Sequence, residues 1–206
     1  TPKSAIQVLN TALLEGKELS YYIASDLPHA AFYEAQLRGE EIQARLFRGE
    51  IPPVEANEYR VVVSCAEDVP KQYEPRTLYL VPRRLIAGVG CRAGVPAAKI
   101  LHALTEACSM IGRKPSMIDL FASTTVKRDE EGLLAVAETL GREIHFYSNE
   151  DLAAMVERYG LRESDFVRQT IGVGNVSEAA ALCAAGEAGG RMALGKTSFG
   201  KVTVAL

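Results

Sequence analysis

The chain has 206 residues, 48% hydrophobic and 24% charged, with a net charge of −3. That is an ordinary globular composition, long enough for one large domain or two small ones. A mildly acidic total argues against a nucleic-acid partner, and no apolar run approaches the roughly 18 residues of a membrane span, so no membrane partner is expected.

The start, "TPKSAIQ", lacks an initiator Met and enters a helical pattern at once, as a piece of a longer polypeptide would. It carries no charged-then-apolar export signal, and a cytoplasmic location is expected. Residues 4–15 place Ala5, Val8, Leu9 and Ala12 on one helical face, and Gly16 stops the run. "LSYYIAS" reads as a strand, "AAFYEAQLR" as a short helix, and "YRVVVSC" and "TLYLVP" as further strands, with fixed-φ turns at Pro52-Pro53, Pro70, Pro75 and Pro82. The spacing of elements changes at Pro82-Arg83-Arg84, which predicts a smaller α/β domain over 1–83 and a second domain over 84–206.

In the second domain strand and helix patterns alternate. "LIAGVG" leads into a helix with Pro96 in its first turn and Ile100, Leu104, Cys108 and Ile111 on one side. "SMIDLFAST" is followed by a helix carrying Leu133, Val136, Ala137 and Leu140, ended by Gly141. After the strand "EIHFYS", Ser148 and Asp151 make a capping-box start for a helix presenting Leu152, Met155, Val156 and Tyr159. "QTIGVGN" reads as a strand, "SEAAALCAAG" as a helix, and "MALGK" with "KVTVAL" as a closing hairpin. Right-handed βαβ crossovers then predict an α/β fold: a three-layer α/β/α domain on a largely parallel sheet with a C-terminal hairpin.

Cys65, Cys91, Cys108 and Cys183 form no C-x-x-C pair, and His29, His102 and His145 are dispersed; reduced thiols and no protein metal site are expected. In an open parallel sheet the strand-to-helix loops gather at the carboxyl edge, where ligands bind. Three loops qualify, "GVGCRAG" (88–94), "STTVKRDEEG" (123–132) and "GVGNVSE" (172–178), with "GKTSFGK" (195–201) joining the last two strands. They supply Arg92, Lys127, Arg128, Lys196 and Lys201, amides at Gly88, Gly90, Gly172 and Gly174, and acid–base capacity at Asp129, Glu130 and Glu178. Such an edge suits an anion with several separated negative groups.

Gly88, Gly90 and Ala93 also match the G-x-G-x-x-G/A spacing of a dinucleotide turn. That site wants an acidic residue at the end of the second strand, about 20 residues on. Here the tip reads "FASTTVKRD", and Asp119 lies at the opposite end, so a nicotinamide or flavin cofactor is disfavoured.

"GVGCRAG", "STTVKRDEEGLLAVAETLG", "FYSNEDL", "IGVGNVSEAAAL" and "LGKTSFGKVTVAL" occur in order over residues 85–206 and resemble the CbiG/CobE family of cobalamin biosynthesis proteins. "AIQVLNTALLEGKELSYYIASD" looks like the middle domain that precedes this unit in CbiG. The family's N-terminal glycine- and histidine-rich motif does not occur here, so middle and C-terminal domains are expected. The resemblance implies a cobalt-precorrin 5A hydrolase, which opens a δ-lactone and releases acetaldehyde. The substrate is a flat macrocycle with acetate and propionate carboxylates around its rim; it brings its own cobalt, so no further cofactor is expected. Other enzymes of the pathway are expected partners. Lactone hydrolysis needs an oriented water and a held oxyanion. Glu130 or Glu178 is expected to be the base, and Gly88, Gly90, Cys91, Arg92, Lys127, Asp129, Gly172, Ser177 and Lys196 are expected to contact substrate. A carrier module that binds corrinoid without catalysis is the alternative.

Overall fold

A computed structural model describes residues 2–39, 44–55, 57–65, 68–72, 74–186 and 190–206. The chain divides into two compact units, Thr1–Arg83 and Arg84–Leu206.

The first unit runs α1 (Lys3–Leu14), β1 (Leu19–Ala24), α2 (Ala30–Gly39), β2 (Ala44–Gly49), β3 (Arg60–Val63) and β4 (Thr77–Leu80). Its four strands are all parallel, in the order β2-β1-β3-β4. Ala5, Leu9 and Ala12 recur at helical spacing and are the buried side of α1, and Gly16 ends the run at φ 73°. Leu9 packs with Leu19 and Val61, while Ala30 of α2 packs with Ile23 and Val63. Residues 19, 21, 23, 61 and 63 share one face of the pleat, so both helices cover that same face. Strand β2 is not apparent from the sequence: Arg45 and Arg48 interrupt its apolar alternation, which a strand at the edge of a sheet tolerates.

The second unit runs β5 (Ile86–Cys91), α3 (Ala97–Met110), β6 (Leu120–Thr124), α4 (Glu131–Leu140), β7 (Ile144–Tyr147), α5 (Asn149–Tyr159), α6 (Asp165–Ile171), α7 (Val176–Ala185), β8 (Thr197–Phe199) and β9 (Val202–Ala205). The sheet order is β7-β6-β5-β9-β8, with β5, β6 and β7 parallel and β8 and β9 an antiparallel hairpin turned at Gly200 (φ 68°). Three layers result. Ile100, Leu104, Leu133 and Val136 of α3 and α4 pack with Val89 and Phe121 on one face, and Leu152, Val176, Ala179 and Ala180 of α5 and α7 pack with Ala122 on the other.

Two expectations need correction. "QTIGVGN" is not a strand: residues up to Ile171 belong to α6, which Gly172 stops at φ 93° in the left-handed region. The hairpin does not begin at "MALGK"; its first strand starts at Thr197, inside the segment expected to be a loop, while Leu194 exchanges backbone hydrogen bonds with Leu206.

Candidate functional site

The parallel strands β5, β6 and β7 end at Cys91, Thr124 and Tyr147, and their carboxyl ends open on one edge of the sheet. There the chain enters α3, α4 and α5, whose first-turn N–H groups point back towards that edge.

Cys91, Lys127 and Glu130 meet where the loops after β5 and β6 face each other. Thr124 accepts the Val126 N–H at 3.4 Å and so caps a 3-10 turn, Thr125–Lys127, that delivers the Lys127 side chain. Glu130 precedes the first turn of α4; its Oε1 lies 3.7 Å from the Lys127 Nζ and its Oε2 accepts the Gly94 N–H at 3.2 Å. The side chains of Lys127 and Glu130 are only 9% and 17% exposed, so solvent screens the pair little. A lone ammonium at that depth would be costly, and Glu130 is what permits it. The Cys91 thiol lies 4.0 Å from Glu130 Oε2. Burial pushes that thiol above its ordinary range, Lys127 pulls it down and the Glu130 carboxylate adds to the rise. Chemically the group offers a held carboxylate to accept a proton and an ammonium to steady negative charge. Arg92, Arg128, Asp129 and Lys201 are exposed, and Arg92 donates its N–H to the Lys201 carbonyl at 3.0 Å, fastening the β8–β9 turn to this edge.

Glu178 and Lys196 belong to a second group at the start of α7. Asn175 caps that helix, accepting the Glu178 N–H at 3.2 Å, and its amide also donates to Glu178 Oε2. Glu178 Oε1 accepts the Lys196 N–H at 2.8 Å, and Lys196 Nζ donates to the Gly174 carbonyl at 3.2 Å. Both oxygens of Glu178 are therefore engaged, one by the Asn175 amide and one by the backbone of residue 196, which ties that residue to the helix. The glycines are placed differently from expectation too. Gly88 and Gly90 lie within β5, paired with Ala205 and Thr203, and are not amides of a turn. A Cβ on Gly88 would stand 1.9 Å from the Ser177 carbonyl oxygen, and one on Gly90 would stand 2.6 Å from Thr203 Oγ1; their bareness lets α7 and β9 close in. This also corrects the dinucleotide-turn spacing, whose first two glycines form no turn. Ser177 is fully buried, with its Oγ unpartnered among the described residues, so it offers no exposed contact to substrate. Gly172 ends α6.

Sequence reasoning overlooked three organising residues. Asn149 accepts from Thr124 Oγ1 at 3.1 Å and donates to the Ile171 carbonyl at 2.6 Å, joining the end of β6 to the end of α6. Glu163 accepts the Gly174 N–H at 3.0 Å and pairs with Arg168. Asn175 was legible, since Asn-x-x-Glu before an apolar helix is a capping pattern. Among the described residues no group of three His, Cys, Asp or Glu could hold a metal ion, and no helix is long and apolar enough to cross a membrane.

Known proteins share much of this sequence and fold. A cobalt-precorrin-5A hydrolase of Salmonella typhimurium is 29% identical over 170 residues, covering 80% of this chain and 47% of that protein. A cobalt-precorrin-5A hydrolase of Priestia megaterium is 29% identical over 157 residues, covering 74% and 40%. The chain thus spans less than half the length of these curated relatives. The crystal structure of CobE, a protein from the cobalamin (vitamin B12) biosynthetic pathway, matches with a TM-score of 0.55 and 35% identity over 60% of this chain and 89% of that one. A cobalamin biosynthesis protein G homolog from Sulfolobus solfataricus shares the fold, with a TM-score of 0.54 over 100% of this chain and 55% of that one, at 18% identity. The family model described as cobalamin synthesis G C-terminus matches residues 85–206, and the chain belongs to that family.

Proposed function

We propose that this chain is the part of a cobalt-precorrin 5A hydrolase that binds and opens the substrate lactone, acetaldehyde being released to give cobalt-precorrin 5B. The observation that carries the reading is the shielded Lys127–Glu130 pair at the carboxyl edge of a family-matched domain. Glu130 orients the attacking water and takes its proton. Lys127 donates to the oxyanion that forms as the carbonyl becomes tetrahedral; such a donor is typically worth ~10²-fold or more in rate. The exposed Arg92, Arg128 and Lys201 meet the peripheral carboxylates of the macrocycle. Cobalt arrives within the substrate, and the conjugated ring accepts the electrons of the later carbon–carbon cleavage, leaving the protein to position and protonate.

The test is acetaldehyde release from cobalt-precorrin 5A. In the full-length protein Glu130→Gln should lower release by roughly 10² or more while corrinoid binding persists. Glu178→Gln should leave the chemical step intact and weaken the anchoring of residue 196. Full turnover in Glu130→Gln would remove this carboxylate from the mechanism.

A second reading, a corrinoid carrier without catalysis, is favoured by one observation: the CobE structure is 89% covered by a match to only 60% of this chain, so a similar unit occurs as nearly a whole protein. Corrinoid binding by this chain without acetaldehyde release would select it.

A further inference from the structure

Spacing along the chain puts Lys127 near Glu130, but the way the chain leaves β6 decides where that pair stands. From Thr124 to Glu130 the segment is one hydrogen-bonded run. The Thr124 hydroxyl accepts the Val126 N–H at 3.4 Å, the Thr125 carbonyl accepts the Arg128 N–H at 3.2 Å, and the Lys127 carbonyl accepts the Glu130 N–H at 3.2 Å. The first of these bonds comes from a side chain, so the start of the run is only as fixed as that hydroxyl.

Thr124 is the last residue of β6 and fully buried, so water does not set its rotor. Its single proton goes to Asn149 Oδ1 at 3.1 Å, which leaves the oxygen lone pairs for Val126. Asn149 is in turn held in one orientation. Its Nδ2 donates to the carbonyl of Ile171, the last residue of α6, at 2.6 Å. Exchanging the amide oxygen and nitrogen would set two acceptors face to face. The Asn149 backbone is fixed separately, because it opens α5 behind the reciprocal cap of Ser148 and Asp151. An orphan carbonyl at the end of α6 thus orients the amide, the amide orients the hydroxyl, and the hydroxyl caps the turn that carries Lys127.

We propose that Asn149 is a positioning residue for the reaction: through the Thr124 hydroxyl it holds the turn Thr125–Lys127 where Lys127 meets both Glu130 and the oxyanion. The consequence for turnover rests on the hydrolase reading; the consequence for the turn does not. With Lys127 only 9% exposed, a displaced turn would trade Glu130 for water, and a misplacement of about 1 Å can cost on the order of 10²-fold in rate. Arg92 and Lys201, assigned to the rim carboxylates, lie on other segments, so kcat should respond and KM should not.

The experiment reads the turn and the reaction separately in the full-length protein. Hydrogen exchange at the Val126 amide and the proton–nitrogen signal of the Lys127 ammonium report the turn without turnover; acetaldehyde release from cobalt-precorrin 5A reports the reaction. Thr124→Val and Asn149→Ala should each speed exchange at Val126 roughly fivefold and shift or broaden the Lys127 signal. Each should lower kcat roughly tenfold, with KM within about twofold. The cap of α5 lies on Ser148 and Asp151, so Asn149→Ala retains that helix. Thr124→Ser, which keeps the hydroxyl, should restore both readouts. Since the two side chains act in series, the double variant Thr124→Val/Asn149→Ala should be no slower than the slower single one. An undisturbed turn in Asn149→Ala, a disturbed turn with kcat unchanged, or losses that multiply in the double variant would overturn the proposal. If the unsubstituted protein releases no acetaldehyde while the turn responds as stated, the hydrolase reading fails and Asn149 still positions Lys127.

Discussion

The two units cover their sheets in different ways, and the difference decides where polar chemistry can sit. In the second unit helices lie on both faces, and α7 comes so near β5 that Gly88 has no room for a side chain. Its faces are apolar, and the charged groups Lys127 and Glu130 are displaced to the loops at the carboxyl edge. In the first unit both described helices share one face, and the other face buries the polar residues Ser20, Arg60 and Thr77. That face accommodates Arg60 in the middle of the sheet, only 3% exposed and bonded to Thr77 Oγ1 at 3.2 Å, with the Tyr22 hydroxyl donating to Glu58 beside it. Burying a guanidinium is costly unless its N–H groups find acceptors, and loop carbonyls such as that of Pro52 supply them to Arg60.

The contrast can be broken most forcefully at Gly88. Gly88→Ala should cost the second unit about 3 kcal/mol or more in urea denaturation, since a Cβ there cannot coexist with the Ser177 carbonyl. Unchanged stability would mean that α7 can withdraw freely, and the close-packed description would fail. In the first unit the comparable blow falls on a polar group. Arg60→Met leaves Glu58 without its cation and should cost about 2–3 kcal/mol, part of it regained in the Arg60→Met/Glu58→Gln double variant. No recovery in the double variant would show that packing, not charge, is what Arg60 contributes.

A smaller effect sharpens the account of the dry interior. Burial pushes the Cys108 thiol up to about 11 from an ordinary value of 9.0. Between those values the unfolded chain has released a proton that the folded chain retains, so stability falls as pH rises through this window. The loss should reach the order of 2 kcal/mol by pH 11, and Cys108→Ala should flatten the curve across that range. Thermal unfolding at pH 8 to 11 reads it directly; equal slopes in both proteins would place that thiol in contact with water. The least effect is expected at Gly39, the last residue of α2 in the first unit. Among the described residues nothing lies within 4 Å of the place its Cβ would take, and Gly39→Ala should change stability by no more than about 0.5 kcal/mol.

Much of the fold was legible because its signals are local. Ser148 and Asp151 form the expected reciprocal cap, with both main-chain bonds at 3.2 Å, and Gly141 ends α4 at φ 63°. Asp119 does lie at the amino end of its strand, where it accepts the Leu85 N–H at 2.7 Å. What escaped was short or exposed. Helix α6 has seven residues, too few for a helical period to emerge beside the strand-like "IGVG", and β2 carries exposed arginines, Arg45 and Arg48, on opposite faces of the pleat.

The candidate site divides along the same line. Lys127 and Glu130 are three residues apart in one loop, so their pairing follows from chain spacing alone. Whether Glu178 would join them depended on the path of residues 195–196, and Gly88 and Gly90 revealed their packing role only once α7 and β9 were beside them.

From its order of residues alone this protein declares its helices other than α6, several of their caps, the parallel core strands and the charged loop after β6, since each depends on groups a few positions apart. Tertiary structure decided that Glu178 meets the backbone of residue 196, that two glycines admit a helix and a strand, and that Arg60 is buried on the sheet face opposite the helices. Those outcomes hang on strand order and on contacts between residues distant along the chain, which no local spacing encodes.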